Sequence, residues 1–479
     1  MSGPVPRVVK GAVVVAILIV ALALRVVEVQ RNSTYRPIND AGSYLTLASA
    51  IAHTGDYSLS HRPGSGAGGT RGPTAYFAPA YPYFLAAVDL IDGHATRRDG
   101  AIHPARISQA ILGTMTVALV GLVALELFGA TAGLAALILA ALYPVAIELS
   151  TLLVAENLLT ALVLAAVYAG LRVRRARAQK SAYAWIAGAG VLTGLATLTH
   201  ENAILIVVPL LAAVWRTPAA RPAKGAAPAE RRAPPAIAAP GLLIATTALI
   251  ILPWTIRNAV VMHRFIPVSD ETGITLVGTY NVASAANHGV PYKWRIFYGI
   301  PGERPLIRRA SRLTEPQIGD KLQHQALTYI SNHPLAPIEA AYHNTLRLFE
   351  LEGSFAWEAS ASAVSLPDSD ARVGVFSFWI LCVLALAGIP TRPVRATPKW
   401  IWWVPVLLAL SVVLVNVETP RFRAPVDPFL VLLAPAGLST AAGWVGRRVL
   451  GDRAPVGGQA GDPVTAGPAQ LIEMRQRLA

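Results

Sequence analysis

Apolar residues form ten runs along the chain, and polar segments separate these runs. The runs approach the roughly 20 apolar residues that an α-helix needs to cross the hydrocarbon core of a bilayer. The pattern therefore predicts an all-α, polytopic membrane protein whose transmembrane bundle has about 10–12 spans. The predicted spans are 8–27, 107–128, 130–147, 157–171, 183–199, 203–215, 241–255, 373–389, 400–415 and 426–444.

Three polar stretches lie outside this pattern. Two are long enough to form extramembrane regions that carry interfacial helices, and the third is rich in glycine and proline, which is typical of a flexible tail. We therefore expect a transmembrane domain over 1–445 that contains both long regions. The polar stretches are 28–104, 256–372 and 446–479.

The long regions contain their own local patterns. In the first region, 41–52 reads as a surface helix, 60–74 is rich in Gly, Ser and Pro, and 76–85 places five aromatic residues beside two prolines. Aromatic rings of this kind favour the headgroup layer, so we expect an interfacial helix there. In the second region, 317–349 has the pattern of an amphipathic helix.

Composition and charge support the membrane interpretation and set its orientation. Hydrophobic residues make up 54% of the chain, charged residues 14%, and the mean hydropathy is +0.48. The net charge of +14 would suit nucleic acid, but its cations concentrate in short segments between apolar runs, as the positive-inside rule predicts. We therefore expect no nucleic-acid partner, both termini in the cytoplasm and both long regions outside the plasma membrane of a bacterium. The basic segments are 171–180, 216–240, 391–399 and 446–448.

The stretch 39–44 carries the first candidate for chemistry. Asp40 lies just beyond the first span, and Tyr44 shares its face of a helix because the two residues are four apart. A carboxylate at this position can act as a general base or hold a cation. The alternative is that Asp40 only caps the N-terminus of the helix.

Four further polar clusters fall at span ends on the same outer side. Charged groups near bilayer depth are costly, so they usually pair or line a polar cavity. Glu156 is either a pairing group or an N-terminal cap of its span. Arg421 and Arg423 are separated by a single residue and lie between two prolines. Guanidinium groups bind phosphate through bidentate hydrogen bonds. The clusters are Glu148 with Glu156, His200-Glu201-Asn202, Arg257-Asn258 and 418–425.

Motifs for soluble nucleotides and for metals are absent from the sequence. It has no phosphate-binding P-loop, no dinucleotide-binding glycine pattern and no zinc-binding His or Cys spacing. The single cysteine, Cys382, cannot form an internal disulfide. We expect no dedicated metal site, although a divalent metal stays possible, because hard cations usually need several oxygen ligands.

Five stretches together resemble the membrane glycosyltransferases of the GT-C fold, in the branch of protein O-mannosyltransferases and lipid A aminoarabinose transferases. The similarity extends over most of residues 1–445. The chain departs from the usual pattern in two places: the acidic pair of the first loop is here Asn39-Asp40, and the usual Thr-Arg-Pro reads Thr199-His200-Glu201. The stretches are 39–57 with Asn39, Asp40 and Tyr44, 77–85, 152–159 with Glu156, 252–273 with Arg257 and Asn258, and 418–425.

The resemblance implies a polyprenyl-phosphate sugar as donor, and a lipid, glycan or protein as acceptor of a hexose or pentose. Transfer would invert the anomeric centre outside the membrane, with Asp40 as general base. The residues that the resemblance assigns to substrate binding are Tyr44, Tyr81, Glu156, Arg257, Asn258, Arg421 and Arg423.

Two other functions stay open from the sequence. A transporter or flippase of a lipid-linked sugar would use the same arginines, although we find no internal repeat of the kind that transporters often show. An assembly protein that has lost transferase activity is the second alternative.

Overall fold

A computed structural model describes residues 7–59, 72–93, 101–215 and 237–450. Most of the Gly/Ser/Pro-rich segment, the linker 216–236 and the tail beyond 450 lie outside these ranges. The regular structure that is described is helical, apart from one isolated β-bridge between Ser58 and Pro73. The helices are α1 (Arg7–Arg31), α2 (Asn39–Thr54), α3 (Ala80–Asp92), α4 (Ile102–Phe128), α5 (Ala130–Leu142), α6 (Pro144–Leu149), α7 (Glu156–Arg175), α8 (Gln179–Thr199), α9 (Val207–Val214), α10 (Ala238–Met262), α11 (Thr272–Thr279), α12 (Val282–Ala285), α13 (Arg304–Arg309), α14 (Glu315–Asn332), α15 (Ala336–Leu348), α16 (Ser354–Ala363), α17 (Asp368–Gly388), α18 (Arg392–Arg395), α19 (Trp400–Val413) and α20 (Asp427–Leu450).

Each of the ten predicted spans coincides with helical structure, which confirms the all-α, multi-pass membrane architecture. Among the described residues, six helices are long and apolar enough to cross a membrane, and four shorter apolar helical segments account for the other runs. The shorter segments are Ala130–Leu142, Glu201–Val214, Trp400–Val413 and Asp427–Thr440.

Two predicted helices are each divided in the structure, the first near its C-terminal end and the second near its centre. The predicted span 130–147 ends at Leu142, and Pro144 starts the separate helix α6, since proline lacks the N–H that would continue the hydrogen-bond ladder. The amphipathic stretch 317–349 forms α14 and α15, with His333 at the C-terminus of the first. Helix α20 also continues to Leu450, past the predicted start of the tail.

Close packing of α8 on α10 depends on two glycines of α8. A Cβ atom on Gly190 would contact the Thr246 side chain and lie 2.7 Å from the carbonyl oxygen of Leu243. A Cβ atom on Gly194 would lie 3.0 Å from the carbonyl oxygen of Thr247. Small residues four apart therefore let the two backbones approach, as is common between membrane helices.

We expect Gly190→Ala to lower the stability of the protein by about 1–3 kcal/mol, because the added methyl group overpacks this contact. Gly188→Ala is the matched control, since a Cβ atom there meets nothing within 4 Å. Thermal unfolding of the detergent-solubilised protein measures the difference. Equal unfolding temperatures for the two variants would contradict the packing argument.

Glu315 joins the two extramembrane regions. Its carboxyl group accepts hydrogen bonds from the Thr74 hydroxyl at 2.6 Å and from the Ala75 N–H at 2.7 Å. The Asp270 N–H in turn donates to the Ala75 carbonyl at 2.8 Å. The segment before α3 is thereby held against α14 and against the loop that leads into α11.

The stability of this junction is expected to depend on pH. Burial raises the pKa of Glu315 from 4.5 to about 7, against the opposing effect of the bonds from Thr74 and Ala75. The folded state therefore holds a proton that the unfolded chain releases, so stability is lost as the pH rises from 4.5 to 7, by about 3 kcal/mol. Thermal unfolding across this range should show the decline in wild type and a smaller one in Glu315→Gln. Identical slopes would show that another group is responsible.

The aromatic stretch before and within α3 packs largely into the protein. Tyr76, Phe77 and Tyr81 are buried, whereas Tyr83 is 45% exposed. The Tyr44 ring lies between two of them, with centroid distances of 4.8 Å to Phe77 and 4.9 Å to Tyr81. This cluster fixes α2 against α3, and so fixes the position of Asp40 at the start of α2.

Candidate active site

A cavity of about 470 Å³, lined by both polar and apolar side chains, lies where the two extramembrane regions meet the ends of the apolar helices. Residues far apart in the sequence form its walls, including acids, cations and amides. The stretches that contribute most of the walls are 39–44, 76–78, 199–202, 271–276, 293–298 and 411–422.

Arg421 is the buried cation at which several of these stretches meet. It begins a one-turn 3-10 helix after α19. Its Nη2 donates to Asp40 Oδ2 at 2.7 Å, and its Nε donates to Glu156 Oε1 at 2.8 Å. Its Nη1 lies 3.9 Å from Glu418 Oε2. Burial lowers the pKa of the guanidinium, but Glu156, Asp40 and Glu418 together raise it well above its usual value.

Asp40 lies in the first turn of α2 and does not cap it. The N-cap residue is Ile38, without a side-chain hydrogen bond, so the capping alternative is wrong. Asn39 adopts a φ of 49°, a left-handed conformation that asparagine tolerates better than most residues. The Asp40 side chain is 36% exposed, and its Oδ1 accepts no hydrogen bond from a residue that the structure describes. One carboxylate oxygen is thus held by Arg421 and the other is accessible.

Tyr44 and Tyr81 occupy different positions relative to the cavity. Tyr44 lines it one turn after Asp40, as the spacing predicts. Tyr81 is fully buried behind Tyr44, and its hydroxyl has no hydrogen-bond partner within the described ranges. Tyr81 therefore supports the wall of the cavity through Tyr44.

Glu156 lies behind Arg421, at the first residue of α7. The N-cap residue is Ala155, and the Glu156 carboxylate is committed to Arg421, so pairing rather than capping describes its role. Glu148, from the same sequence cluster, is buried away from the cavity. Burial raises the pKa of Glu148 to about 8.

Arg423 is buried outside the cavity. Its Nη1 donates to Glu350 at 2.8 Å and its Nε donates to Asp427 at 3.0 Å. Its guanidinium also stacks on the Phe378 ring at 3.5 Å. Two carboxylates and one ring therefore engage this side chain, which connects α20 to the segment after α15.

Arg257 and Asn258 also lie outside the cavity, at the end of α10. Arg257 donates to the carbonyl oxygens of Thr74 at 2.7 Å and Tyr57 at 3.2 Å. Asn258 donates to the carbonyl of Ile266 at 3.1 Å. Both residues hold loops that shape the cavity from behind.

The sequence pattern did not identify several charged or amide residues of the cavity, among them Lys293, Glu271, Arg295 and Asn416. Lys293 lies 3.9 Å from Glu418, and burial lowers its pKa, opposed by Glu418. Glu271 lines the cavity beside α11, and burial followed by the charges of Glu201 and Asp40 raises its pKa well above its usual value. Lys293 and Glu271 lie in the second long region, and the apolar residues around them do not recur at a regular spacing. The position of Glu271 between Pro267 and Gly273, in a stretch that carried the resemblance, was the available signal.

The His200-Glu201-Asn202 cluster reaches the cavity from the end of α8. Glu201 accepts a hydrogen bond from Ser269, and Asn202 Nδ2 donates to Ser411 Oγ at 2.9 Å. The His200 ring lies edge-on to Phe422. No group of three or more His, Cys, Asp or Glu side chains placed to hold a metal ion is found among the described residues.

Comparison with known proteins gives both a family-model match and a fold match. A model of the dolichyl-phosphate-mannose-protein mannosyltransferases matches residues 77–226. The crystal structure of the oligosaccharyltransferase of Archaeoglobus fulgidus, in complex with zinc and sulfate, matches with a TM-score of 0.50 and 16% identity. The chain has the GT-C fold.

The GT-C resemblance inferred from the sequence is thus confirmed for the fold. The match covers 91% of this chain but only 50% of the oligosaccharyltransferase, so the chain spans about half the length of that protein. The archaeal oligosaccharyltransferase AglB from Archaeoglobus fulgidus, in complex with an inhibitory peptide and a dolichol-phosphate, gives 0.49 at 15% identity, over 98% of this chain and 54% of that one. ArnT from Cupriavidus metallidurans, bound to undecaprenyl phosphate, gives 0.38 at 14% identity, over 92% and 79%. No curated protein sequence gives a significant match.

Proposed function

We propose that this GT-C protein transfers a sugar from a polyprenyl-phosphate donor to a hydroxyl group of a lipid, glycan or protein acceptor. One observation carries the proposal: Arg421 and Asp40 meet at the wall of the cavity, so a buried cation and an accessible carboxylate stand side by side. The reaction needs these two groups, a cation for the phosphate and a base for the acceptor. The family-model match supports the same class of reaction.

The proposed reaction is a single displacement. The acceptor oxygen attacks the anomeric carbon and forms a new glycosidic bond, while the bond between this carbon and the phosphate oxygen breaks. The electron pair leaves with the lipid phosphate, and the anomeric configuration inverts. Oδ1 of Asp40 accepts the acceptor proton as general base. Arg421 stabilises the charge that develops on the phosphate.

The cations of the cavity indicate where the phosphate binds. Lys293 and Arg295 line the cavity together with Arg421. We therefore assign the phosphate to these three residues, with Tyr44 beside the acceptor and Glu156 orienting Arg421. Four residues lie outside the cavity, and we assign them a structural role in holding the segments around it: Tyr81, Arg257, Asn258 and Arg423.

We further propose that the cavity opens on the extracytoplasmic side of a bacterial plasma membrane, with both termini in the cytoplasm. The arginine-dense segments between spans support this orientation by the positive-inside rule. Polyprenyl-linked donors have their sugar at the membrane surface, and the cavity lies at the ends of apolar helices.

A transfer assay tests the function. The purified protein is reconstituted in vesicles with radiolabelled polyprenyl-phosphate hexoses and pentoses and a membrane extract as source of acceptor. Label in a new product supports the transferase and identifies the sugar. Label that changes leaflet without a new product supports a flippase instead. If the assay shows no transfer and unlabelled polyprenyl phosphate causes no thermal shift, both functions are contradicted and an assembly role is favoured.

A further inference from the structure

The cavity has a second polar wall, opposite in character to the cations around Arg421. The wall consists of His200, Asn202 and Asn416, and each has a buried polar atom without a hydrogen-bond partner among the described residues: Nδ1 of His200 and the Oδ1 atoms of both asparagines. Asn416 is only 8% exposed. Buried polar atoms that lack a partner cost about 1–3 kcal/mol each, and the two amide oxygens can only accept, so such a wall is suited to a ligand that supplies donors.

The hydrogen-bond network fixes the orientation of Asn202. The Ser411 hydroxyl donates its proton to the carbonyl of Leu408 at 2.7 Å, so its oxygen can only accept from Asn202. Asn202 must therefore present its NH₂ group to Ser411. Its Oδ1 is left as an acceptor beside the cavity.

The wall is located at the ends of two apolar helical segments. Asn202 is the second residue of the apolar segment Glu201–Val214, and Asn416 follows the apolar helix α19 by three residues. Both residues thus lie at the ends of apolar helical segments, close to the bilayer from which the sugar of a lipid-linked donor cannot move far.

We propose that His200, Asn202 and Asn416 form the subsite that binds the hydroxyl groups of the donor sugar and so determine which sugar is transferred. This inference rests on the proposed function. The cavity then has two halves. Arg421, Lys293 and Arg295 bind the phosphate, and the wall of His200, Asn202 and Asn416 binds the hydroxyl groups of the donor sugar next to it. A glycosyl phosphate has this combination of one anionic group and several hydrogen-bond donors.

A substrate-deletion cycle tests the subsite. The donor that wild type transfers is compared with its monodeoxy analogues, each lacking one sugar hydroxyl, in wild type, Asn202→Ala and Asn416→Ala. We expect one analogue to lower kcat/KM about tenfold in wild type, because one neutral hydrogen bond is lost. The same analogue should lower kcat/KM only slightly in the variant that lacks the corresponding hydrogen-bond acceptor. Asn332→Ala, at the exposed end of α14, is the control that keeps the wild-type discrimination.

The outcomes separate the subsite from the function on which it rests. Equal discrimination among donors in wild type and in both variants, with transfer intact, would overturn the subsite alone. If the variants instead lost discrimination only between the acceptor molecule and its deoxy analogues, the subsite would also be overturned, since the wall would then bind the acceptor molecule. Absence of transfer by wild type for every donor would overturn the proposed function and the subsite together. Thermal unfolding of each variant identifies any that fails to fold, and Asn416→Leu, which has a similar volume but no acceptor oxygen, then replaces Asn416→Ala.

Discussion

Asp40→Asn is expected to lower the rate of sugar transfer by about 10²–10⁴-fold, the usual effect of removing a general base. Asparagine has nearly the same shape but cannot accept the proton of the acceptor hydroxyl. Arg421 keeps its bond to the buried Glu156, so the protein should still fold. Initial rates with radiolabelled donor, together with thermal unfolding, measure both effects.

The control for this substitution is Asp56→Asn, which changes an exposed aspartate just after the same helix. It should keep the wild-type rate. Full activity of Asp40→Asn would contradict the assignment of the base. If Glu271→Gln were then inactive, Glu271 would be the base, since it lines the same cavity and no cation pairs with its carboxyl group within the described structure.

Arg421→Met is expected to abolish detectable transfer and also to destabilise the protein by about 3–5 kcal/mol. Methionine leaves the carboxylate of Glu156, which is only 3% exposed, buried without its cation. It also removes the cation that we assign to the phosphate, so the affinity for polyprenyl phosphate should fall. Thermal unfolding and a binding titration with unlabelled polyprenyl phosphate report the two effects separately.

A second variant separates stability from chemistry at this position. Arg421→Met combined with Glu156→Gln removes the uncompensated charge, so stability should recover in part while transfer stays absent. A double variant as unstable as Arg421→Met alone would show that Glu156 does not depend on Arg421 for its burial. Recovery of transfer in the double variant would show that the phosphate does not need the guanidinium.

Local pattern was sufficient for the membrane helices and for part of the site. Hydropathy located ten apolar segments, because crossing a bilayer imposes a length and a composition that any window of the sequence displays. The hydropathy pattern could not show that the helix ends before Pro144 and that a new helix starts there. The i, i+4 spacing placed Asp40 and Tyr44 on one face, and both line the cavity.

The two arginines of the last outer loop show where local pattern stops. Arg421 and Arg423 are nearly equivalent in the sequence, yet the first lines the cavity and the second is buried between Glu350 and Asp427. In a tight one-turn helix, residues two apart point in different directions, and only the surrounding helices decide which direction faces the cavity. Lys293 was missed for a related reason, since it lies in a polar segment without periodicity.

The sequence by itself determined the membrane-spanning, helical character of this protein and the resemblance to the GT-C fold, because both follow from composition and from short-range order along the chain. Only the tertiary structure decided which charges meet. Asp40 and Arg421 are 381 residues apart, and Glu156 and Arg421 are 265 apart, so no local pattern links them. Their pairing follows from burial: a charge that leaves water must find an opposite charge, and helix packing determines which one is within reach.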